Sequence, residues 1–317
     1  MVSDLRLERM LRIPPFRDAH VHFRKEGMPL REGELQEIPA ACREAGILYL
    51  EDMGERSGIG LRAKGLLQPD LRVRSSGYAL SRKGAYGAFL GRAVGGGAAE
   101  LREVVRGIAE EGADFIKVIN SGIVRAEGNR TVTEGGFSAG ELRALCGAAG
   151  ERGLRVACHA NSDTAIRSAV LAGVSSIEHG FFVSEETLHL MRERGVAWTP
   201  TVIALLGIAP LFSPAERHAL EGVVEEHLRS LAFAASLGVT LRIGTDSGSR
   251  CIRYGESFFD EMRLFGKAGL SREQILAAAC VDREEAGEGN YLLVREDFIE
   301  TRRVEAVFRE GKRIAPG

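Results

Sequence analysis

Short apolar segments alternate with amphipathic segments along most of the chain. The apolar segments are rich in Val, Ile and Leu, which is typical of buried β-strands. They occupy residues 16–22, 47–53, 71–80, 114–119, 154–159, 174–179, 196–200 and 239–246. Between them, apolar residues recur every three to four positions, as on one face of a helix. This pattern predicts helices at residues 35–45, 57–67, 98–111, 138–153, 162–172, 184–194, 214–237, 255–267 and 271–280.

The alternation predicts an α/β fold with parallel strands, because a helix between two strands forms a crossover connection. Eight such units fit a closed (β/α)8 TIM barrel over residues 14–285 better than the alternative, an open doubly wound sheet. Two further strands are predicted at residues 290–295 and 304–308. Two strands are too few for an independent core. We therefore expect residues 1–13 and 286–317 to form a reduced β-layer packed on the barrel.

Composition and charge narrow the possible partners. The 317 residues are 44% hydrophobic and 27% charged, with a formal net charge of −2. No global charge favours nucleic acid or an anionic membrane, and no apolar run is long enough to span a bilayer. The first residues lack the apolar region of a signal peptide, and the five cysteines form no Cys-x-x-Cys pair. We expect a cytoplasmic protein with reduced thiols and a small-molecule substrate.

Two histidines in Asp18-Ala19-His20-Val21-His22 share one face of the first predicted strand, because strand side chains alternate. Paired imidazoles are suited to a divalent metal ion. Four further candidates lie on or at the end of other strands: Lys117, His159, His179 and Asp246. Each has a simpler explanation alone, such as a core histidine or a turn aspartate. Together they fall on the C-terminal rim of the predicted barrel, where active sites of this fold lie, which favours a metal centre.

This set of residues resembles the metal ligands of the amidohydrolase superfamily in both order and strand placement. Gly112-Ala-Asp-Phe-Ile-Lys117-Val and Ser176-Ile-Glu-His179-Gly180 are similar to segments of its imidazolonepropionase-like and Xaa-Pro dipeptidase branch. The resemblance implies a CO2-derived carbamate on Lys117 and two divalent metal ions, with Zn2+ expected. His20, His22, the carbamate and Asp246 would hold one ion, and the carbamate, His159 and His179 the other. A metal-bridging hydroxide would be the nucleophile and Asp246 the proton shuttle.

Three departures from the family pattern bear on the substrate. Branch members often carry Tyr two residues after the fifth-strand histidine, where this chain has Asn161. The usual His-Gly after the eighth-strand aspartate is replaced by Tyr254-Gly255. The small β-sandwich that family members build from both termini is reduced to the strands predicted after residue 285.

The leading functional prediction is hydrolysis of a C–N amide bond in a dipeptide or an N-acyl amino acid. Arginines in the predicted rim loops favour a substrate with an acidic group, since guanidinium binds carboxylate in a bidentate manner. The candidate substrate contacts are Asn120, Arg125, Asn161, Arg250, Arg253 and Tyr254. A lactonase or phosphoester hydrolase with the same metal centre, a mononuclear deaminase and a catalytically silent scaffold remain alternatives. Deaminases of the superfamily carry Glu where this chain has Ser162. The oligomeric state stays open, and a homo-oligomer is possible.

One further residue falls outside the family pattern. Strand alternation points Arg242 into the barrel, in the same direction as Asp246. A buried arginine needs an anion, and Asp18 on the neighbouring first strand is the nearest candidate. We therefore predict an Arg242–Asp18 ion pair beneath the metal ions.

Overall fold

The structure is a computed structural model, and it describes residues 10–125, 131–133 and 135–315. Strands and helices alternate along most of the chain. The strands are β1 (Leu11–Ile13), β2 (Phe16–Val21), β3 (Arg24–Lys25), β4 (Met28–Pro29), β5 (Ile47–Asp52), β6 (Arg72–Ser75), β7 (Ala79–Arg82), β8 (Gly91–Val94), β9 (Ile116–Ile119), β10 (Val156–Ala160), β11 (Ser176–His179), β12 (Ala197–Thr199), β13 (Tyr291–Val294), β14 (Val304–Arg309) and β15 (Lys312–Ala315).

The helices are α1 (Ile38–Glu44), α2 (Ile59–Leu66), α3 (Ala98–Glu110), α4 (Ala139–Gly150), α5 (Asp163–Ala172), α6 (Glu185–Arg194), α7 (Val202–Ile208), α8 (Pro214–Leu237), α9 (Glu256–Lys267), α10 (Arg272–Ala279), α11 (Arg283–Ala286) and α12 (Phe298–Thr301). Short 3-10 helices occupy Glu32–Glu37, Ala88–Leu90 and Ala209–Leu211. Within the described residues, no helix combines the length and apolarity that crossing a membrane requires.

The strands between the helices pair in parallel, as the alternation predicted. One sheet has the order β12-β11-β10-β9-β7-β8, and a second has the order β2-β5-β6. In the register of the larger sheet, Lys117 lies opposite Ala157 on one side and Ala79 on the other. The protein therefore has an α/β fold, and parallel pairing places the C-terminal ends of the strands at one edge.

Residues 239–246 were predicted to form the eighth strand, and the structure corrects this. Within the segment, Leu241 makes an isolated parallel bridge to Trp198, and Ser247 just after it makes another to Val21. Its backbone still bonds to both neighbours: Arg242 N donates to Trp198 O at 2.9 Å, and Asp246 N donates to His20 O at 2.7 Å. Regular pairing is interrupted because the Thr245 N–H donates to the Asp18 carboxylate at 3.0 Å instead of to a strand carbonyl.

The predicted third strand, residues 71–80, is also two strands rather than one. β6 ends at Ser75 and β7 begins at Ala79, in different sheets. Gly77 has a left-handed φ of 67°, and its N–H donates to the Ser75 hydroxyl at 2.8 Å. The glycine-rich stretch at residues 91–97 begins with a strand, since β8 pairs with β7. A side chain at Gly91 would collide with the backbone of Ala79, so glycine permits this pairing.

Helix boundaries follow the sequence signals closely. Ser138 caps α4 with a capping box, in which its backbone N–H donates to the Glu141 carboxylate at 2.7 Å. α5, α6 and α8 end at Gly173, Gly195 and Gly238, all with left-handed φ. The predicted helix at residues 35–45 begins instead as a 3-10 turn, and α1 starts at Ile38.

A four-stranded antiparallel sheet, with the order β1-β13-β14-β15, joins the two ends of the described chain. Leu292, Val294 and Val307 of this sheet are fully buried. Leu292 lies directly over Gly46, where a side chain would collide with it. This sheet therefore shares the core of the parallel strands. Residues 1–9 and 316–317 of the predicted β-layer lie outside the described residues.

The predicted Arg242–Asp18 ion pair is wrong. Asp18 is buried and accepts hydrogen bonds from the Thr245 backbone and, at 2.6 Å, from the Thr245 hydroxyl. The Arg242 guanidinium lies 3.7 Å from the Glu51 carboxylate, and the Arg242 side chain is 30% exposed to solvent. A neutral hydroxyl on the adjacent segment thus satisfies Asp18, while Arg242 points toward a different buried acid.

Candidate metal centre

The six predicted metal ligands line one cavity of about 140 Å³ at the C-terminal ends of the strands. β2 leads into His20 and His22, β9 carries Lys117, β10 carries His159 and β11 ends at His179. The His20 and His179 rings are 4.9 Å apart, and the His159 and His179 rings are 4.6 Å apart. Residues separated by more than two hundred positions in the chain therefore converge on one small space.

His20, His22 and Asp246 form the tightest group. One ligand atom from each lies within 4.8 Å of the other two. Asp246 Oδ1 is 3.7 Å from His20 Nε2 and 3.5 Å from His22 Nε2. The Nδ1 atoms are engaged elsewhere, at 2.9 Å from the Glu178 carboxylate for His20 and at 2.8 Å from Gly54 O for His22. Each histidine therefore directs Nε2 into the cavity.

The histidines of this cavity are held neutral. Burial lowers the pKa of His22 to about 3 and that of His159 to about 4, and it lowers the pKa of His20 and His179 well below the ordinary value. Burial penalises the charged form because it removes the imidazolium from water. Neutral imidazole is the form that binds a metal ion.

Lys117 has an unusual environment for a lysine. Its side chain is 1% exposed, and its Nζ has no hydrogen-bond partner among the residues that the structure describes. Burial lowers the pKa of Lys117 more than the nearby acids Glu178 and Asp246 raise it. His20 Nε2 is likewise buried without a partner in the described chain. Two unsatisfied polar atoms beside each other are expensive, and they fit a site that is completed by a bound group.

His179 and His159 are fixed by different contacts. His179 Nδ1 lies 2.6 Å from the Thr201 hydroxyl, which leaves Nε2 for the cavity. His159 Nε2 lies 3.0 Å from Gly122 O and 3.4 Å from Asn161 Nδ2. In this arrangement Nδ1 is the His159 atom without a hydrogen bond to the described residues.

Local backbone conformation directs two of the ligands. His179 and Asp246 both have left-handed φ values, of 67° and 63°. Strand alternation would turn Glu178 and His179 toward opposite faces, yet both contact His20. Left-handed φ in a non-glycine residue is strained and is found disproportionately at functional sites.

Glu178 is a site residue that the sequence analysis missed. It is buried, and its carboxylate accepts from His20 Nδ1 and, at 2.6 Å, from the Ser176 hydroxyl. The available signal was an acidic residue directly before His179 in a segment predicted to be a buried strand, since buried carboxylates are rare unless they are paired. A carboxylate on the outer nitrogen fixes both the tautomer and the orientation of a ligating histidine.

Asp246 is the acid of the cavity with access to water. Its side chain is 17% exposed to solvent. Burial raises its pKa to about 7, although the neighbouring Lys117 acts in the opposite direction. A carboxyl group with a pKa near neutrality can both accept and donate a proton at physiological pH.

Only one of the six candidate substrate contacts, Arg250, lines this cavity. Asn161 instead donates to Gly122 O at 3.1 Å and accepts from Phe181 N at 3.1 Å, so both ends of its amide hold backbone. Asn120 similarly bonds Ala165 O and Phe137 N. These two asparagines shape the loops around the site.

The other three candidates also lie outside the cavity. The buried Tyr254 hydroxyl donates to the His22 carbonyl, which supports the strand that carries His22. Arg253 is 76% exposed beside Glu256. Arg125 lies next to the undescribed residues 126–130.

One wall of the cavity was not anticipated from the sequence. It includes Tyr86, Phe89 and Leu90, from the segment that joins β7 to β8. The Tyr86 ring lies 5.6 Å from the His159 ring and 5.5 Å from the Phe89 ring. Aromatic residues in a glycine-rich loop after a strand were the available signal.

The chain is similar to known proteins in both sequence and fold. The sequence profile of the amidohydrolase family matches residues 12–286. An uncharacterised protein of Mycobacterium tuberculosis is 30% identical over 291 residues, spanning 85% of this chain and 72% of the relative. The ochratoxinase of Aspergillus niger is 28% identical over 160 residues, which are 48% of this chain and 32% of that enzyme.

Solved structures share the fold over nearly the whole chain. A Xaa-Pro dipeptidase with bound methionine superposes with a TM-score of 0.81 at 21% identity, covering 100% of this chain and 91% of the other. The A. niger ochratoxinase superposes with a TM-score of 0.79 at 22% identity, covering 96% of this chain and 84% of the other.

Proposed function

Because this chain belongs to the amidohydrolase family, we propose that it is a metal-dependent hydrolase that cleaves a C–N amide bond in a small molecule. One observation carries the proposal. Four histidines, Asp246 and a buried lysine whose Nζ has no hydrogen-bond partner in the described part of the chain line the same small cavity. The match of the family profile to residues 12–286 confirms the resemblance stated from the sequence.

The fold supports this proposal through the position of the cavity. The backbone of residues 240–246 hydrogen-bonds to Trp198 in β12 on one side and to β2 on the other. These bonds support a closed eight-stranded barrel over residues 14–285, with the antiparallel sheet as a reduced β-layer packed on it. In such a barrel the reaction takes place at the C-terminal ends of the strands, where the cavity lies.

The residues present fit two divalent metal ions, with Zn2+ the expected species. His20, His22 and Asp246 would hold one ion, and His159 and His179 the other. A carbamate on Lys117 would supply a further anionic ligand, because an uncharged amine can add CO2 and release one proton to give an anion. The two unsatisfied nitrogen atoms, His20 Nε2 and Lys117 Nζ, support this assignment. When bound, the ions would polarise the scissile carbonyl and activate the attacking water.

The side chains around the reacting group have distinct tasks. Asp246 takes a proton from the attacking water and returns it to the leaving amine, since it is the acid of the cavity with access to water. Glu178 holds the His20 ring so that Nε2 faces the cavity. Thr201 does the same for His179 through its hydroxyl.

Arg250 supports a dipeptide or an N-acyl amino acid as the substrate. It lines the cavity beside Ser249, at the end of the segment that carries Asp246. A carboxylate on the amine side of the scissile bond would lie within reach of its guanidinium, which binds carboxylate in a bidentate manner. A dipeptidase among the structural relatives is consistent with this substrate class.

The proposal is tested by elemental analysis together with a substrate panel. We expect two metal ions per chain and hydrolysis of dipeptides or N-acyl amino acids, in preference to lactones and phosphoesters. Asp246→Asn should abolish most of the activity. Asp260→Asn, which changes a 28% exposed acid on α9, is the matched control and should retain it. A metal-free protein that hydrolyses none of the panel would overturn the proposal.

A further inference from the structure

The reaction cavity is too small for a whole substrate. Its volume is about 140 Å³, whereas pockets that enclose small-molecule ligands usually measure about 300–1,000 Å³. The metal ions and the attacking water would occupy part of that space. Only the scissile amide and its nearest atoms therefore fit, and the remainder of the substrate must lie beyond one of the walls.

A groove of about 490 Å³ lies on the other side of the aromatic wall. Tyr86 and Phe89 line both the groove and the reaction cavity. Most of the remaining lining consists of small side chains: Ala85, Gly87, Ala88, Gly91 and Ala93. Arg56 is the one charged residue among the described residues that line the groove. The side chains that line the groove are therefore mostly small or aromatic.

The backbone fixes this wall in place. Gly87 has a left-handed φ of 101°, and a side chain there would collide with Ile119 at the end of β9. Glycine thus lets the segment lie against the strand ends and brings Tyr86 over His159. Phe89 packs edge-on against Tyr86, with 77° between the ring planes, yet remains 45% exposed. An exposed aromatic side chain at the mouth of a reaction site is suited to contact a ligand.

The larger cavity nearby, of about 600 Å³, is a poorer continuation of the site. Arg24 is the residue that it shares with the reaction cavity, and that guanidinium is held by Glu55 at 2.6 Å. Tyr254 also stands at this boundary, with its hydroxyl bonded to backbone carbonyls of His22 and Arg24. These contacts close the wall on that side.

Arg250 lines the reaction cavity but not the groove. If it binds the carboxylate of the amino-acid part within the cavity, the groove is left for the acyl part. We propose that the groove formed by residues 85–93 and Arg56 is an acyl subsite, which takes a linear or aromatic apolar acyl group of an N-acyl amino acid. This inference rests on the proposed amide hydrolysis and adds the substrate class.

A chain-length series tests the subsite. The substrates are N-acetyl-, N-butanoyl-, N-hexanoyl- and N-octanoyl-alanine, and kcat/KM is measured for each with the metal-loaded protein. We expect kcat/KM to rise by about two- to fourfold per added methylene, because each is removed from water. Phe89→Ala should lower the octanoyl-to-acetyl ratio of kcat/KM at least tenfold, and Ala88→Trp should lower it by filling the groove. Leu171→Ala, at a comparably exposed residue of α5, is the control and should leave the ratio unchanged.

Binding of octanoate and acetate, measured by calorimetry, separates the two proposals. Tighter binding of octanoate that is lost in Phe89→Ala supports the subsite, even if no N-acyl amino acid is cleaved. In that case the proposed amide hydrolysis fails alone. Cleavage of all four substrates with equal kcat/KM, and equal binding of the two acids, would overturn the subsite and leave the amide hydrolysis standing.

Discussion

Replacement of Glu178 by Gln tests whether this carboxylate orients His20 for metal binding or only stabilises the fold. In the structure the Glu178 carboxylate accepts from His20 Nδ1 at 2.9 Å and from the Ser176 hydroxyl at 2.6 Å. A glutamine keeps the size of the side chain and can still accept from Nδ1. Its amide can in turn donate to Ser176, whose hydroxyl rotates to accept. The change therefore removes the negative charge and little else.

The magnitude follows from the type of hydrogen bond that is lost. A hydrogen bond to a charged group contributes about 1.5–3 kcal/mol, and a neutral one about 0.5–1.5 kcal/mol. The difference of about 1–2 kcal/mol corresponds to a roughly 5- to 30-fold weaker affinity for the metal ion that His20 holds. The metal-free protein should not lose stability, because Glu178 is 1% exposed and a buried charge is itself costly.

The assay is competition for Zn2+ with a chromogenic chelator, combined with urea unfolding of the metal-free protein. Glu51→Gln is the control, since Glu51 is similarly buried but binds Arg155 at 2.5 Å, and no hydrogen bond to a histidine ligand is found for it among the described residues. We expect that variant to lose stability and to keep its metal affinity. If Glu178→Gln binds Zn2+ as tightly as the parent, or if it loses stability without losing affinity, the orienting role assigned to Glu178 is refuted.

Four further predictions concern other parts of the molecule. Asp246→Asn should lower kcat by about 100-fold or more with a smaller change in KM, and a near-normal kcat would exclude the proton-shuttle role. Lys117→Met should reduce the metal content below two ions per chain by elemental analysis, while an unchanged content would argue against a bridging carbamate. His227→Gln should reduce the loss of stability in acid: burial lowers the pKa of His227 from 6.5 to about 4, so only the unfolded chain takes up its proton between those values. Stability then falls as the pH falls through this window, and we expect urea unfolding to show a loss between pH 7.5 and pH 5 that is about 2 kcal/mol smaller in the variant. Gly87→Ala should lower the melting temperature and alter substrate binding because its side chain would collide with Ile119, whereas a variant with parental properties would show that this close approach is not required.

Much of the fold follows from local signals in the sequence. The alternation of apolar runs and helical patterns predicted parallel strands, and the structure has them. The helix ends at Gly173 and Gly195 could be predicted from the sequence because glycine tolerates left-handed φ. The His20–His22 pair could be placed on one strand face from its spacing alone. These features depend on residues within one or two turns of each other, and such short-range geometry is nearly independent of the rest of the chain.

The tertiary structure decided the contacts that join distant parts of the chain. Glu178 contacts His20, which is 158 positions away in the chain. Asp18 accepts a hydrogen bond from Thr245, 227 positions away, instead of pairing with Arg242. Left-handed φ at His179 breaks the strand alternation from which side-chain directions were predicted. Sequence periodicity specifies which face a side chain occupies, but it does not specify which neighbour satisfies it. That choice depends on which donors and acceptors the folded chain brings within about 3 Å of each other.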